Sequence, residues 1–300
     1  MVIDKPAGVT SAHVVARLKR SLGGMKTGHT GTLDPFATGV MVCCINRATK
    51  LARFFLSGGK TYQATLCLGI ETDTQDPTGR VTGTGDTENL SESVVLAAMA
   101  RFTGDLLQAP PVFSALKHQG TPLYKLARSG HAVQKPPRPI HISVIEDIKM
   151  ALPEVFFSVT CSAGTYIRTL CADIGRALGC GGHLKALRRI ESCGFTISEA
   201  IGLDAVDDLV TSGNIWERII PMGEALRHIP LYIADPGLSE HILQGRPLTK
   251  QDLRLEKGSC PKDFLKIVDT HHHLLAVLMA EGDDFKYGCV FPRLPANRLA

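Results

Sequence analysis

No apolar run in this 300-residue chain approaches the ~20 residues needed to cross a bilayer. The first residues, Met1-Val2-Ile3-Asp4-Lys5-Pro6, lack the basic segment and apolar core of a secretion signal, so the cytoplasm is the expected location. None of the nine cysteines forms a C-x-x-C pair. Their odd number and irregular spacing argue against a disulfide framework and a zinc ribbon, which leaves them as small buried apolar residues. There is also no G-x-G-x-x-G fingerprint, Walker loop or EF-hand pattern. Charge of one sign is scarce too: a net +4 excludes a histone-like polyelectrolyte while permitting an RNA partner. What remains, at 44% hydrophobic, is a soluble globular chain with a large core and an expected division into two domains.

The stretch Lys26-Thr27-Gly28-His29-Thr30-Gly31-Thr32-Leu33-Asp34-Pro35-Phe36-Ala37-Thr38-Gly39 stands out against this background. Its glycines allow close backbone approach, and Pro35 biases Asp34 toward an extended or turn conformation, so Asp34 is expected on a loop. The run Val40 to Ile45 reads as a buried strand anchoring that loop. On composition alone, a turn-capping role for Asp34 is the better reading and a chemical one the lesser.

Elsewhere the patterns are those of alternating helices and strands. Thr10 or Ser11 caps a helix with apolar positions Val14, Val15, Leu18 and Leu22. Leu51 to Leu56 reads as a short helix, Ser57-Gly58-Gly59 as a turn, and Tyr62 to Ile70 as a strand with Tyr62, Ala64, Leu66, Leu68 and Ile70 on one face. Residues 71–88 read as a polar connecting loop, and their carboxylates lack a metal-binding arrangement. Leu90 to Phe102 is a helix with Val94, Val95, Ala98, Met99 and Phe102 apolar. Ile140 to Val144 and Val155 to Cys161 are strands, and a further helix carries Ile167, Leu170, Cys171, Ile174 and Leu178. Residues 118–139 are basic and proline-rich, which reads as a surface insertion. Three local basic groups, Arg17/Lys19/Arg20, Lys125/Arg128/Lys135/Arg138 and Lys185/Arg188/Arg189, are solvated faces or phosphate contacts. His271-His272-His273 cannot converge on one metal from a strand and is expected at the surface.

The fourteen-residue stretch resembles the signature of the TruB family of tRNA pseudouridine synthases. Further matches follow in family order: Val2 to Gly8, Lys60-Thr61-Tyr62, Phe102-Thr103-Gly104, Gln108 to Pro111 with Ser114 to Lys117, Gly164 to Arg168, and Leu187-Arg188-Arg189. The resemblance covers roughly residues 2–200 well and the remainder loosely. It implies an α/β (α+β) catalytic domain, residues 1–230, on a mixed, largely antiparallel sheet. Residues 118–139 would be an RNA-gripping insertion and 231–300 a small β-rich, PUA-like RNA-binding domain. It also implies Asp34 as the catalytic residue, Arg168 paired with it, and Tyr62 as pocket wall and acceptor of a late proton. Tyr166 and Leu187 would close the base pocket, His29 would fill space left by the extruded nucleotide, and Asp76 would lie near that nucleotide. Lys125, Arg128, Arg138 and Arg188 become candidates for contact with the RNA backbone.

The implied reaction is isomerisation of uridine-55 in the T-loop of tRNA, with no cofactor or metal and no protein partner, by a monomer. Such chemistry needs a carboxylate ionised at neutral pH and a pocket that stacks on a detached uracil. It also needs an extruded nucleotide, which costs less in a loop than in a duplex. Two other classes remain in view: an RNA-binding or RNA-folding module without essential chemistry, and a carboxylate-dependent glycosidase. The latter lacks an evident second acid near Asp34.

Overall fold

The computed structural model of the protein describes residues 1–56, 58–249, 251–253, 263–282 and 284–292. Ser57 of the expected turn and residues 293–300 of the expected C-terminal domain lie outside the described residues. A ten-stranded mixed sheet dominates. Its main path runs Ile201–Gly202, Val2–Lys5, Thr38–Ile45, Gly182–Ser192, Lys60–Leu68, Glu154–Cys161, Arg138–Ala151, Gly104–Gln108. Along that path the pairings are antiparallel except two: Val2–Lys5 with Ile201–Gly202, and Thr38–Ile45 with Gly182–Ser192.

The second parallel pairing is short, Arg188 opposite Thr38 and Arg189 opposite Gly39, and it joins two antiparallel halves. Gly39 makes it possible. Its φ is +105°, and a Cβ there would lie 2.1 Å from the Arg189 carbonyl oxygen, so only glycine lets the strands meet. Within Thr38–Ile45, Val40 to Ile45 is an unbroken apolar run because both faces are covered: Val40, Val42 and Cys44 pack into one cluster, Met41 and Cys43 into another.

Lys60–Leu68 alternates as its sequence requires, with Tyr62, Ala64, Leu66 and Leu68 turned into a core shared with Phe157, Val159, Leu170 and Ile174. Ile70, expected on the same face, does not continue the strand. Gly69 turns the chain at φ +83°, and Ile70–Thr72 pairs with Val81–Thr84 in a separate hairpin. The expected polar loop at 71–88 therefore contains a hairpin, with Asp76 in its turn region.

Thr10 caps the helix Ser11–Ser21 by accepting from the His13 N–H at 3.1 Å. The helix Glu92–Ala100, capped by Ser91, buries Val95, Ala98 and Met99 but leaves Val94 49% exposed. That segment is apolar all round while only one face meets the protein, so its buried stripe is narrower than composition implied. Arg138–Ala151 is a fourteen-residue strand, much longer than the expected Ile140 to Val144. Irregular register between Glu146 and Lys149, with Asp147 at φ +53°, breaks the alternation that defined the expected end.

The insertion at 118–139 is not wholly superficial. Leu123, at the start of the helix Leu123–Arg128, is fully buried, and Arg138 and Pro139 already belong to the main sheet. The C-terminal part forms a five-stranded sheet ordered Leu231–Ile233, Phe264–Val268, Leu274–Glu281, Asp284–Val290, Leu248–Thr249. Its core includes Leu238 and Ile242 of the helix Pro236–Leu243 with Leu265, Leu275, Leu278 and Phe285. A second cluster, including Phe54, Val268, Leu274 and Phe291, fastens it to the main sheet. His271, His272 and His273 are exposed between two of its strands.

Candidate active site

The loop between Thr27–His29 and Thr38–Ile45 holds its shape through side chains that arrive from distant elements. Arg189 donates from Nε to the Val40 carbonyl at 2.7 Å and from Nη2 to the Gly31 carbonyl at 3.1 Å. The Ser11 hydroxyl bonds to both the N–H and the C=O of Leu33. Lys5 Nζ donates to the Pro35 carbonyl at 3.2 Å, and the Gly8 N–H to the same oxygen at 2.8 Å. Carbonyls in a buried loop need such partners, because each unpaired one costs about 1–3 kcal/mol. Asp34 is thus presented from a fixed backbone with its side chain 34% exposed.

Arg168 meets that carboxylate, and only 4% of its side chain is exposed. Its Nε lies 2.9 Å from Asp34 Oδ2 and its Nη2 3.5 Å from Oδ1. The same guanidinium donates to the carbonyls of Thr74 and Phe113, each at 2.8 Å, and lies 3.5 Å from Asp76 Oδ2. Arg168 thereby ties the helix Ile167–Ala177, the hairpin turn and residue 113 to the signature loop. Asp76 is buried, and its Oδ1 accepts from the Thr74 and Thr78 hydroxyls and the Thr78 N–H. Gln108 fixes the start of the Arg168 helix: its amide donates to the Tyr166 carbonyl at 3.0 Å and accepts from the Tyr166 N–H at 2.7 Å.

Burial raises the pKa of Asp34 and the Asp76 charge adds to the rise, while Arg168 most and Lys5 less oppose it. Burial likewise brings Lys5 down to about 8, against the pull of Asp34. Tyr62 sits opposite Arg189 in the sheet register, and Leu187 opposite Ala64 two pairs along, both within the core cluster that contains Leu33 and Ala37. Burial pushes the Tyr62 phenol up and the Arg189 guanidinium works against it. His29 is half-buried on Thr27–His29, its Nδ1 accepting from the Gly31 N–H at 3.3 Å. Burial, and then the Arg189 charge, lower its pKa.

Arg189, grouped with Arg188 as a basic face by sequence, is 1% exposed and belongs to the interior of the site. The buried face of a strand is a poor place for a guanidinium unless oxygens receive it, and the Gly31 and Val40 carbonyls do so. Ser11, Lys5 and Gln108 are the other positions whose side chains hold the site's backbone and that residue type did not single out. Among the candidate RNA contacts, Lys125 and Arg128 are exposed on the insertion helix, with Arg128 5.7 Å from the Tyr124 ring centre. Arg138 donates to the Gly164 carbonyl at 2.6 Å and stacks 5.2 Å from the Tyr166 ring centre. Arg188 pairs with Asp4 at 2.7 and 3.2 Å at the sheet surface. A cavity of about 740 Å³ lined by Val42, Cys44, Phe55, Phe195, Ile220 and Met222 lies apart from Asp34 and presents no carboxylate.

The fold has solved counterparts. The chain superposes on one in the crystal structure of a Cbf5-Nop10-Gar1 complex with a TM-score of 0.74 at 29% identity, covering 98% of this chain and 87% of that one. A chain in an H/ACA RNP bound to a substrate RNA containing 2'-deoxyuridine gives 0.72 at 26% identity, covering 97% and 85%. Residues 19–167 match the N-terminal domain model of the TruB family pseudouridylate synthases, and residues 168–227 match the tRNA pseudouridylate synthase B C-terminal domain. The boundary between the two matches falls immediately before Arg168, so each contributes one half of the Asp34–Arg168 pair. Fold and site together define a pseudouridylate synthase, an isomerase.

Curated relatives carry the assignment further. A tRNA pseudouridine synthase B of Geobacter sulfurreducens is 43% identical over 259 residues, 86% of this chain and 85% of its own length. One of Burkholderia mallei is 40% identical over 280 residues, 93% of this chain and 92% of its own. The chain belongs to the TruB family of pseudouridylate synthases.

Proposed function

We propose that the protein converts uridine-55 in the T-loop of tRNA to pseudouridine, without a cofactor, using Asp34 as the catalytic carboxylate. The observation that carries this reading is the Asp34–Arg168 pair, 2.9 Å apart, in which Asp34 stands on a clamped loop whose Leu33 and Ala37 share a core with Tyr62 and Leu187. The substrate follows from the curated relatives, whose names specify tRNA.

The reaction breaks the N1–C1′ bond, turns the uracil, forms the C5–C1′ bond and releases the C5 proton. Asp34 enters as the anion that meets the reacting nucleoside, and Arg168 keeps it ionised against the burial that favours its protonated form. Tyr62, Tyr166 and Leu187 enclose the detached uracil, His29 takes the space the nucleotide leaves, and Asp76 faces the flipped nucleotide through Arg168. Burial and the Asp34 charge both hold Tyr62 as a neutral phenol. When the carboxylate is bonded to the nucleoside that second influence ends, and Tyr62 takes the C5 proton as a phenolate, the form that the Arg189 guanidinium favours, having first given its own phenol proton to solvent. Lys125, Arg128, Arg138 and Arg188 contact backbone phosphates, which position the stem-loop without reading its bases. Residues 231–300 serve as a PUA-like RNA-binding domain attached to the catalytic domain of residues 1–230. The enzyme works as a monomer in the cytoplasm; among the described residues no helix is long and apolar enough to cross a membrane.

The test is tritium release from C5-labelled uridine in a T-arm stem-loop and in full-length tRNA. Wild type releases tritium, and Asp34→Asn binds the RNA with none released. If wild type binds both RNAs and releases nothing from either, the protein is an RNA-binding module and the catalytic reading is wrong.

A further inference from the structure

The helix Ser11–Ser21 begins with two adjacent hydroxyls that perform different tasks. Thr10 does the capping, its Oγ1 accepting the His13 N–H at 3.1 Å from an exposed position. Ser11 is 3% exposed, and its hydroxyl turns away from the helix toward Leu33. There Oγ donates to the Leu33 carbonyl at 3.1 Å and accepts from the Leu33 N–H at 2.9 Å. A serine hydroxyl has one proton to give and lone pairs to receive, so one side chain satisfies both backbone groups of a single residue.

The residue held is the one before Asp34. The Leu33 carbonyl belongs to the same planar peptide as the Asp34 nitrogen, so fixing that oxygen fixes the plane from which the φ of Asp34 is set. The peptide on the other side of Asp34 is fixed by the Ala37 N–H, which donates to the Asp34 carbonyl at 3.1 Å. With both peptides held, the direction of the carboxylate toward Arg168 is decided by χ1 and χ2 alone. Arg189 and Lys5 secure the loop at Gly31 and Pro35, on either side, without touching either peptide of Asp34.

We infer that Ser11 is a positioning residue for the reaction, holding the Leu33–Asp34 peptide so that the Asp34 carboxylate meets the nucleoside in register; this rests on Asp34 being the catalytic carboxylate. Helix stability is served by Thr10 next door, which makes the two residues a natural contrast.

Single-turnover tritium release at saturating stem-loop RNA, RNA dissociation constants and thermal melting are measured on wild type, Ser11→Ala, Ser11→Cys, Thr10→Ala and Asp34→Asn. Displacing a reacting group by about 1 Å costs on the order of 10²-fold in rate. Ser11→Ala is expected to lose rate on that scale with an unchanged Kd. Ser11→Cys fills the same space with a weak donor and acceptor and is expected to fall between it and wild type. Thr10→Ala is expected to melt earlier yet keep the wild-type rate. Should Ser11→Ala not fold, Ser11→Cys decides. A wild-type rate in whichever serine variant decides overturns the inference, and so does a rate loss that Thr10→Ala shares. Substantial release by Asp34→Asn is a separate failure, of the catalytic reading itself.

Discussion

The signature loop and the insertion that follows Pro111 are both irregular segments, and they are held in opposite ways. Residues 30–37 are held by side chains from Ser11, Lys5, Arg168 and Arg189, each reaching in from another element. Residues 117–138 rely largely on nearby partners: the Leu123 N–H on the Leu116 carbonyl, the Tyr124 N–H on the Ser114 carbonyl, Lys135 on His118, Gln134 on Pro110. Their one fully buried apolar anchor is Leu123. A reacting carboxylate needs position to a fraction of an ångström, whereas a surface that follows a phosphate backbone needs charge and the freedom to adapt.

Four substitutions probe that contrast. The largest effect is expected from Arg168→Met, which leaves Asp34 and Asp76 without their common cation. Breaking a buried pair in this way costs about 3–5 kcal/mol, seen as a lower denaturation midpoint. Arg168 is the strongest influence lowering a carboxyl that burial has raised, so its loss moves the acid limb of the rate profile to higher pH. The sign for stability follows. A carboxyl whose folded pKa lies above its unfolded value disfavours the fold once ionised, so the deficit of Arg168→Met against wild type shrinks as pH falls. An acid limb that stays in place in the variant would show that Arg168 does not govern the ionisation of Asp34.

Leu123→Ala comes next. It removes the anchor of the insertion at about 2–5 kcal/mol of local packing. RNA affinity is expected to weaken while the rate at saturating RNA holds, as a titration of single-turnover rate against RNA would reveal. A drop at saturation would mean that the insertion shapes the chemistry as well as the grip. The smallest effect belongs to Lys125→Ala combined with Arg128→Ala. The slope of log K against log salt should flatten by roughly 0.7–0.9 for each phosphate that these side chains no longer neutralise, with no change in saturated rate.

The legibility of the sequence divides along the same line. Local rules foresaw the helices Ser11–Ser21, Glu92–Ala100 and Ile167–Ala177, though not Leu123–Arg128 or Pro236–Leu243, together with the Lys60–Leu68 alternation and the presentation of Asp34 on a loop, because those features depend on neighbours in the chain. Resemblance to the family indicated Arg168 and its pairing. Local rules offered Ser11 only as a helix cap, and neither source indicated its bonds to Leu33 or the interior position of Arg189: their partners lie 22 and 158 residues away, and no periodicity links a serine at a helix start to a carbonyl on another loop. Local pattern also failed where a backbone exception intervened. Gly69 ended a strand that alternation would have continued to Ile70, and the irregular register beyond Glu146 hid the length of Arg138–Ala151.

The dependence of the loop on Arg189 also sets a schedule. A ribosome adding about 5–20 residues per second completes residues 26–39 early, then needs roughly 7–30 s to supply the strand that carries Arg189. Until then the Gly31 and Val40 carbonyls lack their buried partner, and Gly39 has the Val2–Lys5 strand on one side but no Arg189 strand on the other. A nascent chain that already displays Asp34 and its glycines therefore has no assembled catalytic centre, so competence arrives only after most of the polypeptide has been made.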